Sequence, residues 1–99
     1  MGNFTKESVL NIGSNLVYGN YSRMDGPVVI TLRVNDPSAY TISVSILNWK
    51  SKVKTLLYEK ELDGGDTLTD TINYSFNQGD ELYVTTNSAT TACLISGIE

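Results

Sequence analysis

Histidine is absent from this 99-residue chain, and cysteine occurs once. The first absence removes the usual general base and the commonest zinc ligand. The second rules out an intrachain disulfide and a cysteine-built metal site, and suits a chain made in a reducing compartment. Cys93 sits in Ala92-Cys93-Leu94-Ile95, where it reads as a small buried hydrophobe. No apolar run approaches the ~20 residues a membrane helix needs. The first residues, Met1-Gly2-Asn3-Phe4-Thr5-Lys6, lack the apolar core of a signal peptide. No stretch of ten residues keeps a helical period, and Thr5 to Asn11 is too short a helix candidate to stand alone. Basic charge is also scarce: 7 Lys and Arg against 11 Asp and Glu give a net charge of −4. Such a chain repels nucleic acid, whose binding is driven by phosphate neutralisation. Gly-x-Ser-x-Gly elbows and phosphate loops are missing.

What the chain does have is alternation. Val28, Ile30, Leu32 and Val34 are apolar at every second position, with Thr31 and Arg33 between them. Tyr40, Ile42, Val44 and Ile46 repeat the pattern against Thr41, Ser43 and Ser45. Each run is a strand with one buried face. The turn cluster Asn35-Asp36-Pro37-Ser38 lies between them, so the pair reads as a hairpin. A third run, 53–62, alternates poorly, which implies two partly covered faces or a bulge. Asp63-Gly64-Gly65-Asp66 then turns the chain into 67–76, where Leu68, Ile72, Tyr74 and Phe76 share a phase that Asp70 interrupts. Asn77-Gln78-Gly79-Asp80 leads to Leu82 and Val84, and Asn87-Ser88 leads to a last run over 91–98. Gly65-Asp66-Thr67-Leu68 is echoed by Gly79-Asp80-Glu81-Leu82, which reads as two ordinary hairpin turns. The first 25 residues are less regular. Ser8 to Ile12 and Leu16 to Tyr18 suit short strands, and residues 1–15 suit an N-terminal arm. The sum is one all-β domain over residues 1–99, an antiparallel β-sandwich of six to eight short strands, Ig-like or jelly roll.

Chemistry-bearing residues are few. Asp63, Asp66, Asp70, Asp80 and Glu81 fit solvated turns; two such carboxylates across a cleft would be needed for glycoside hydrolysis, and a domain this small seldom holds one. Oxygen-rich turns at Asp63 and Asp66 would suit calcium, but the spacing matches no EF-hand or nonapeptide loop. No cofactor is expected, and no enzymatic activity. Trp49, the only tryptophan, falls off the apolar phase of its strand, which makes it an exposed interface candidate. Lys50, Lys52 and Lys54 follow it and, on a strand, would share one face. They read as an anionic docking patch or as a charged edge that blocks sheet-to-sheet aggregation. Tyr18, Tyr21, Tyr58 and Tyr83 are candidates for surface aromatics of the kind carbohydrate modules use as platforms.

The C-terminal part carries a resemblance. Lys54-Thr55-Leu56-Leu57-Tyr58, Leu62-Asp63-Gly64-Gly65-Asp66-Thr67-Leu68, Phe76-Asn77-Gln78-Gly79-Asp80-Glu81-Leu82-Tyr83-Val84 and the closing apolar strand resemble small virion proteins of tailed bacteriophages. The likeness runs from about residue 16 to 99. It departs at Tyr21 to Pro27, where that family often has a Val-Pro-Ala-Gly turn. The resemblance implies a non-enzymatic structural protein of the virion, made in the host cytoplasm: a capsid decoration or head or tail accessory protein. Its partners would be other virion proteins, with further copies of itself as an option and neither nucleic acid nor membrane. Docking would use Trp49, Lys50, Lys52, Lys54 and the N-terminal arm. The competing expectation is a carbohydrate- or receptor-binding module at a fibre tip.

Overall fold

The computed structural model describes residues 3–21 and 26–98. Eight strands follow in order: β1 Asn3–Val9, β2 Gly13–Gly19, β3 Gly26–Asn35, β4 Tyr40–Leu47, β5 Lys54–Leu62, β6 Thr67–Phe76, β7 Glu81–Thr86 and β8 Ala92–Ile98. They form two four-stranded antiparallel sheets, ordered β1-β8-β3-β6 (sheet A) and β2-β7-β4-β5 (sheet B). Consecutive strands alternate between sheets everywhere except at β4–β5, the one hairpin between neighbours among the described residues. This is the strand order of a jelly roll, so the choice the sequence left open against an Ig-like order is decided.

The alternating runs place the core. Val28, Ile30, Leu32 and Val34 face inward from sheet A, and Tyr40, Ile42, Val44 and Ile46 face them from sheet B. Leu68, Ile72, Phe76, Leu82, Val84, Cys93 and Ile95 complete the layer. Phe76 is fully buried and meets Tyr18 edge to face at 5.3 Å, while Phe4 stacks on the other side of Tyr18. Tyr74, in phase with Phe76, reaches the surface.

The hairpin expected from β3 and β4 does not form. The two strands lie in opposite sheets, and residues 36–39 arch between them. Two alternating runs bury their faces equally well by facing each other across a core as by pairing side by side. Asp36 holds the arch. Its carboxylate accepts hydrogen bonds from the Ser38 amide and the Thr90 and Thr91 hydroxyls, and its carbonyl accepts from the Gly65 amide. The Gly-Asp echo also marks inter-sheet arches rather than hairpins. In each, the Asp amide donates to the carbonyl three residues back (Asp63, Asn77), and Gly65 or Gly79 takes the positive φ a type II turn requires.

The N-terminal arm is built into the sheets over its described residues. β1 pairs with β8 along its whole length, and β2 pairs with β7. The helix candidate at Thr5 to Asn11 is largely strand β1. Weak alternation in 53–62 has two causes: β5 is an edge strand, and Leu57 is an extra residue between the pairs Val44–Tyr58 and Ser45–Leu56.

Candidate functional site

Sheet B bears bulges on both edge strands. Val17 is the extra residue on β2 and Leu57 on β5. Bulges bend their strands. Lys54 Nζ on β5 lies 2.9 Å from Ser14 Oγ on β2, three strands away. In a flat sheet those strands would stand about 14 Å apart, and the register also sets Ser14 well along the strands from Lys54. A lysine, a serine and the hydrogen bond between them together span only about 12 Å. The contact therefore closes only because the sheet curls, leaving a concave face between β2 and β5.

Residues in register line that face in rows. Leu16, Tyr83, Ser45 and Leu56 form one row. Ser14, Thr85, Ser43 and Glu59 form the next, toward the far end. Gly19, Glu81, Leu47 and Lys54 form the row at the near end. The floor thus combines an aromatic ring, three leucines and a belt of hydroxyls.

Glu81 anchors the near end. It is 8% exposed, and its two carboxylate oxygens accept hydrogen bonds from the hydroxyls of Tyr83 (2.8 Å) and Tyr21. That hydrogen bond first, and burial second, raise the Tyr83 pKa. The Tyr21 ring packs on Gly19, where any side chain would collide with it. The Lys54 ammonium lies over the Tyr83 ring, 4.3 Å from its centroid.

Trp49 stands at the rim of the same end, in the turn between β4 and β5. It is 48% exposed, matching its expected exposure. Asp80 fixes its backbone, accepting from the Trp49 and Asn77 amides, and its ring leans on Gly79. Lys52 Nζ covers the ring at 3.4 Å from the centroid.

The lysines do not share a strand face. Lys50 belongs to the turn, Lys52 has a φ of +60°, and only Lys54 enters β5. Asn48 sets this turn: its side chain accepts from the Lys50 and Ser51 amides, and its carbonyl accepts from the Lys52 amide. Lys52 and Lys54 thereby cap two different rings, while Lys50 caps neither.

Of the tyrosines proposed as surface aromatics, Tyr21 is exposed and Tyr83 half-buried, both on the concave side, whereas Tyr18 is core. Tyr58 lies between the sheets with its hydroxyl buried; burial, and then the nearby Asp70 carboxylate, raise its pKa. Asp63 and Asp66 lie in the opposite-end turn, and no group of three or more acidic or Cys side chains suited to a metal occurs among the described residues. Asp80 and Glu81, expected in a solvated turn, are instead buried, because backbone amides bond the first and tyrosine hydroxyls the second; the cupped face escaped sequence reasoning. Alternation puts Glu81 and Tyr83 on one outward face, which was a usable signal, but the bulges that bend the sheet were not legible. A depression of ≈ 600 Å³ on the outer face of sheet A, near Glu7, Val9, Arg33, Asn35 and Leu94, has no aromatic ring among its described lining residues.

No family model matches the chain, and no curated protein matches it in sequence. Solved structures do. The C-terminal CBM6, a carbohydrate-binding module, of the laminarinase LamC from the marine Zobellia galactanivorans is 13% identical, with a TM-score of 0.54 over 99% of this chain and 100% of that one. The CBM22-1–GH10 modules of Clostridium thermocellum xylanase 10B, solved with xylohexaose, are 14% identical, with a TM-score of 0.55 over 98% of this chain and 25% of that one. What this chain shares with them is the fold, a two-sheet antiparallel β-sandwich.

Proposed function

We propose that this domain is a non-catalytic carbohydrate-binding module that takes a glycan along the concave face of sheet B. The observation that carries the reading is the Lys54–Ser14 contact across a curled sheet, which makes a trough with Tyr83 on its floor. A sugar ring needs an aromatic face for its C–H surface and hydroxyl partners for its rim. Tyr83 offers the first, and Ser14, Ser43 and Thr85 offer the second. The fold shared with two carbohydrate-binding modules supports the reading. Affinity electrophoresis through gels carrying a panel of polysaccharides tests it. At least one should retard the wild type, and Tyr83→Ala should abolish the retardation. Unretarded migration through every gel rejects the reading.

A second reading, a virion protein that docks on other virion components, is favoured by the edge strand β5. Leu56 there is 55% exposed, and Leu57 beside it is also exposed. Jelly rolls serve both viral capsids and lectins, and a virion-mounted glycan binder satisfies both readings. Co-sedimentation with assembled particles tests this one, and a protein left in the supernatant at every ratio removes it.

A further inference from the structure

We infer that the preferred ligand of this face is an anionic glycan, one bearing carboxylates or sulfates, and that Lys52 and Lys54 act as the selectivity switch. The inference rests on the carbohydrate-binding reading and adds the ligand class.

Two of the three aromatic rings at this end of the domain, Tyr83 and Trp49, are capped by an ammonium group; the third, Tyr21, packs on Gly19. Lys54 lies over Tyr83, and Lys52 lies over Trp49. A sugar that stacks on either ring must first move the lysine off it. A neutral sugar then forfeits the cation–π contact and leaves the displaced ammonium only water. An anionic sugar receives the ammonium on its own carboxylate or sulfate, a charge-assisted contact that replaces the lost one. The other groups agree. Among the described residues, the partners that hold Lys54 are a serine hydroxyl and a ring, neither of which neutralises it. The carboxylate that could repel an anion, Glu81, is buried and hydrogen-bonded by two tyrosine hydroxyls. Lys50, Lys52 and Lys54 supply three of the chain's 7 cationic side chains within five residues at this end, although the protein as a whole is acidic. Glu59 lies on the same face one row beyond Ser45, which confines the anion to the Tyr83–Trp49 end.

The test compares the wild type with the Lys52→Gln/Lys54→Gln double variant by affinity electrophoresis. The gels carry a uronate polysaccharide (alginate), a sulfated polysaccharide, or neutral xylan and laminarin. Circular dichroism confirms the fold of the variant, and Lys6→Gln/Arg33→Gln, on the opposite sheet, removes the same two charges and controls for net charge. The wild type should bind one or both anionic polymers and bind the neutral ones weakly. The Lys52→Gln/Lys54→Gln variant should lose about tenfold on the anionic polymers and bind the neutral ones at least as well, because its rings are uncapped. Alginate and the sulfated polymer distinguish a carboxylate from a sulfate ligand. Wild-type binding to neutral polymers as tight as to anionic ones overturns this inference and leaves the carbohydrate-binding reading intact. A loss in Lys6→Gln/Arg33→Gln equal to that in the Lys52→Gln/Lys54→Gln variant also overturns it, since diffuse charge would then explain the binding. Absence of binding to every polymer overturns both.

Discussion

Replacing Gly79 by alanine should destabilise the domain through Trp49, and the amount follows from the geometry. Gly79 has a φ of +92°, in the left-handed region, where a side chain costs about 1–2 kcal/mol. A Cβ there would also stand 2.7 Å from Trp49 Cγ, too close for any ordinary contact. Trp49 cannot retreat freely, because its amide is bonded to the fully buried Asp80 and Lys52 covers its ring. Overpacking of this kind adds about 1–3 kcal/mol. Gly79→Ala should therefore cost roughly 2–5 kcal/mol. In a Trp49→Ala background only the backbone part remains, about 1–2 kcal/mol. The cycle should yield a coupling of about 1–3 kcal/mol. Urea unfolding of the four proteins, followed by far-UV circular dichroism, measures it. With an m-value of about 1 kcal/mol/M, the coupling appears as a midpoint difference of at least ~1 M. The lone tryptophan supplies a second readout, a change in emission in Gly79→Ala at zero denaturant. Equal costs in the two backgrounds would refute the packing of Trp49 on Gly79 and, with it, the rigid presentation of Trp49 at the rim of the trough.

Two further predictions concern buried groups away from the trough. The Ser88 hydroxyl above all, with the Ser38 amide and the Thr91 and Thr90 hydroxyls, holds the Asp36 carboxyl at about 2, below its ordinary 3.8, against the opposing effect of burial. A depressed acid stabilises the fold above its unfolded pKa and loses that contribution as pH falls through the folded one. The urea midpoint of the wild type should drop between pH 4 and pH 2, and Asp36→Asn, already lower at pH 7, should lack that component; parallel pH curves would contradict the assignment. Burial pushes the Cys93 thiol up to about 11, and the residue is 4% exposed. Iodoacetamide at pH 8 should leave it unmodified in the native protein and alkylate it promptly in urea; rapid native labelling would place Cys93 outside the core.

The strands were legible because their signal is local. Val28, Ile30, Leu32 and Val34 alternate within one stretch of chain, and all are buried. Tyr40 to Ile46 behaves the same way, and the Gly-Asp turns mark the entries to β6 and β7. The lysine patch was misread for a related reason. Period-2 spacing puts Lys50, Lys52 and Lys54 on one face only where the chain is extended, and the hydrogen bonds to Asn48 fold this stretch into a turn. The exposure of Trp49 was legible, but its capping by Lys52 and its seat on Gly79 were not, because the glycine is thirty residues away in the chain.

By itself, then, the sequence determined an all-β sandwich, the inward residues of its strands and the absence of histidine and disulfide chemistry. These follow from residue identity and from a period of two, which need no knowledge of partners. The tertiary structure alone decided which strands pair, because an alternating strand buries its apolar face equally well beside or opposite its neighbour. It alone made residues 36–39 an arch rather than a hairpin and set β1 against β8. It also decided the trough. Tyr21 meets Glu81 only because β2 pairs with β7, and Lys54 reaches Ser14 only because sheet B curls; that curvature belongs to the assembled sheet rather than to any one segment.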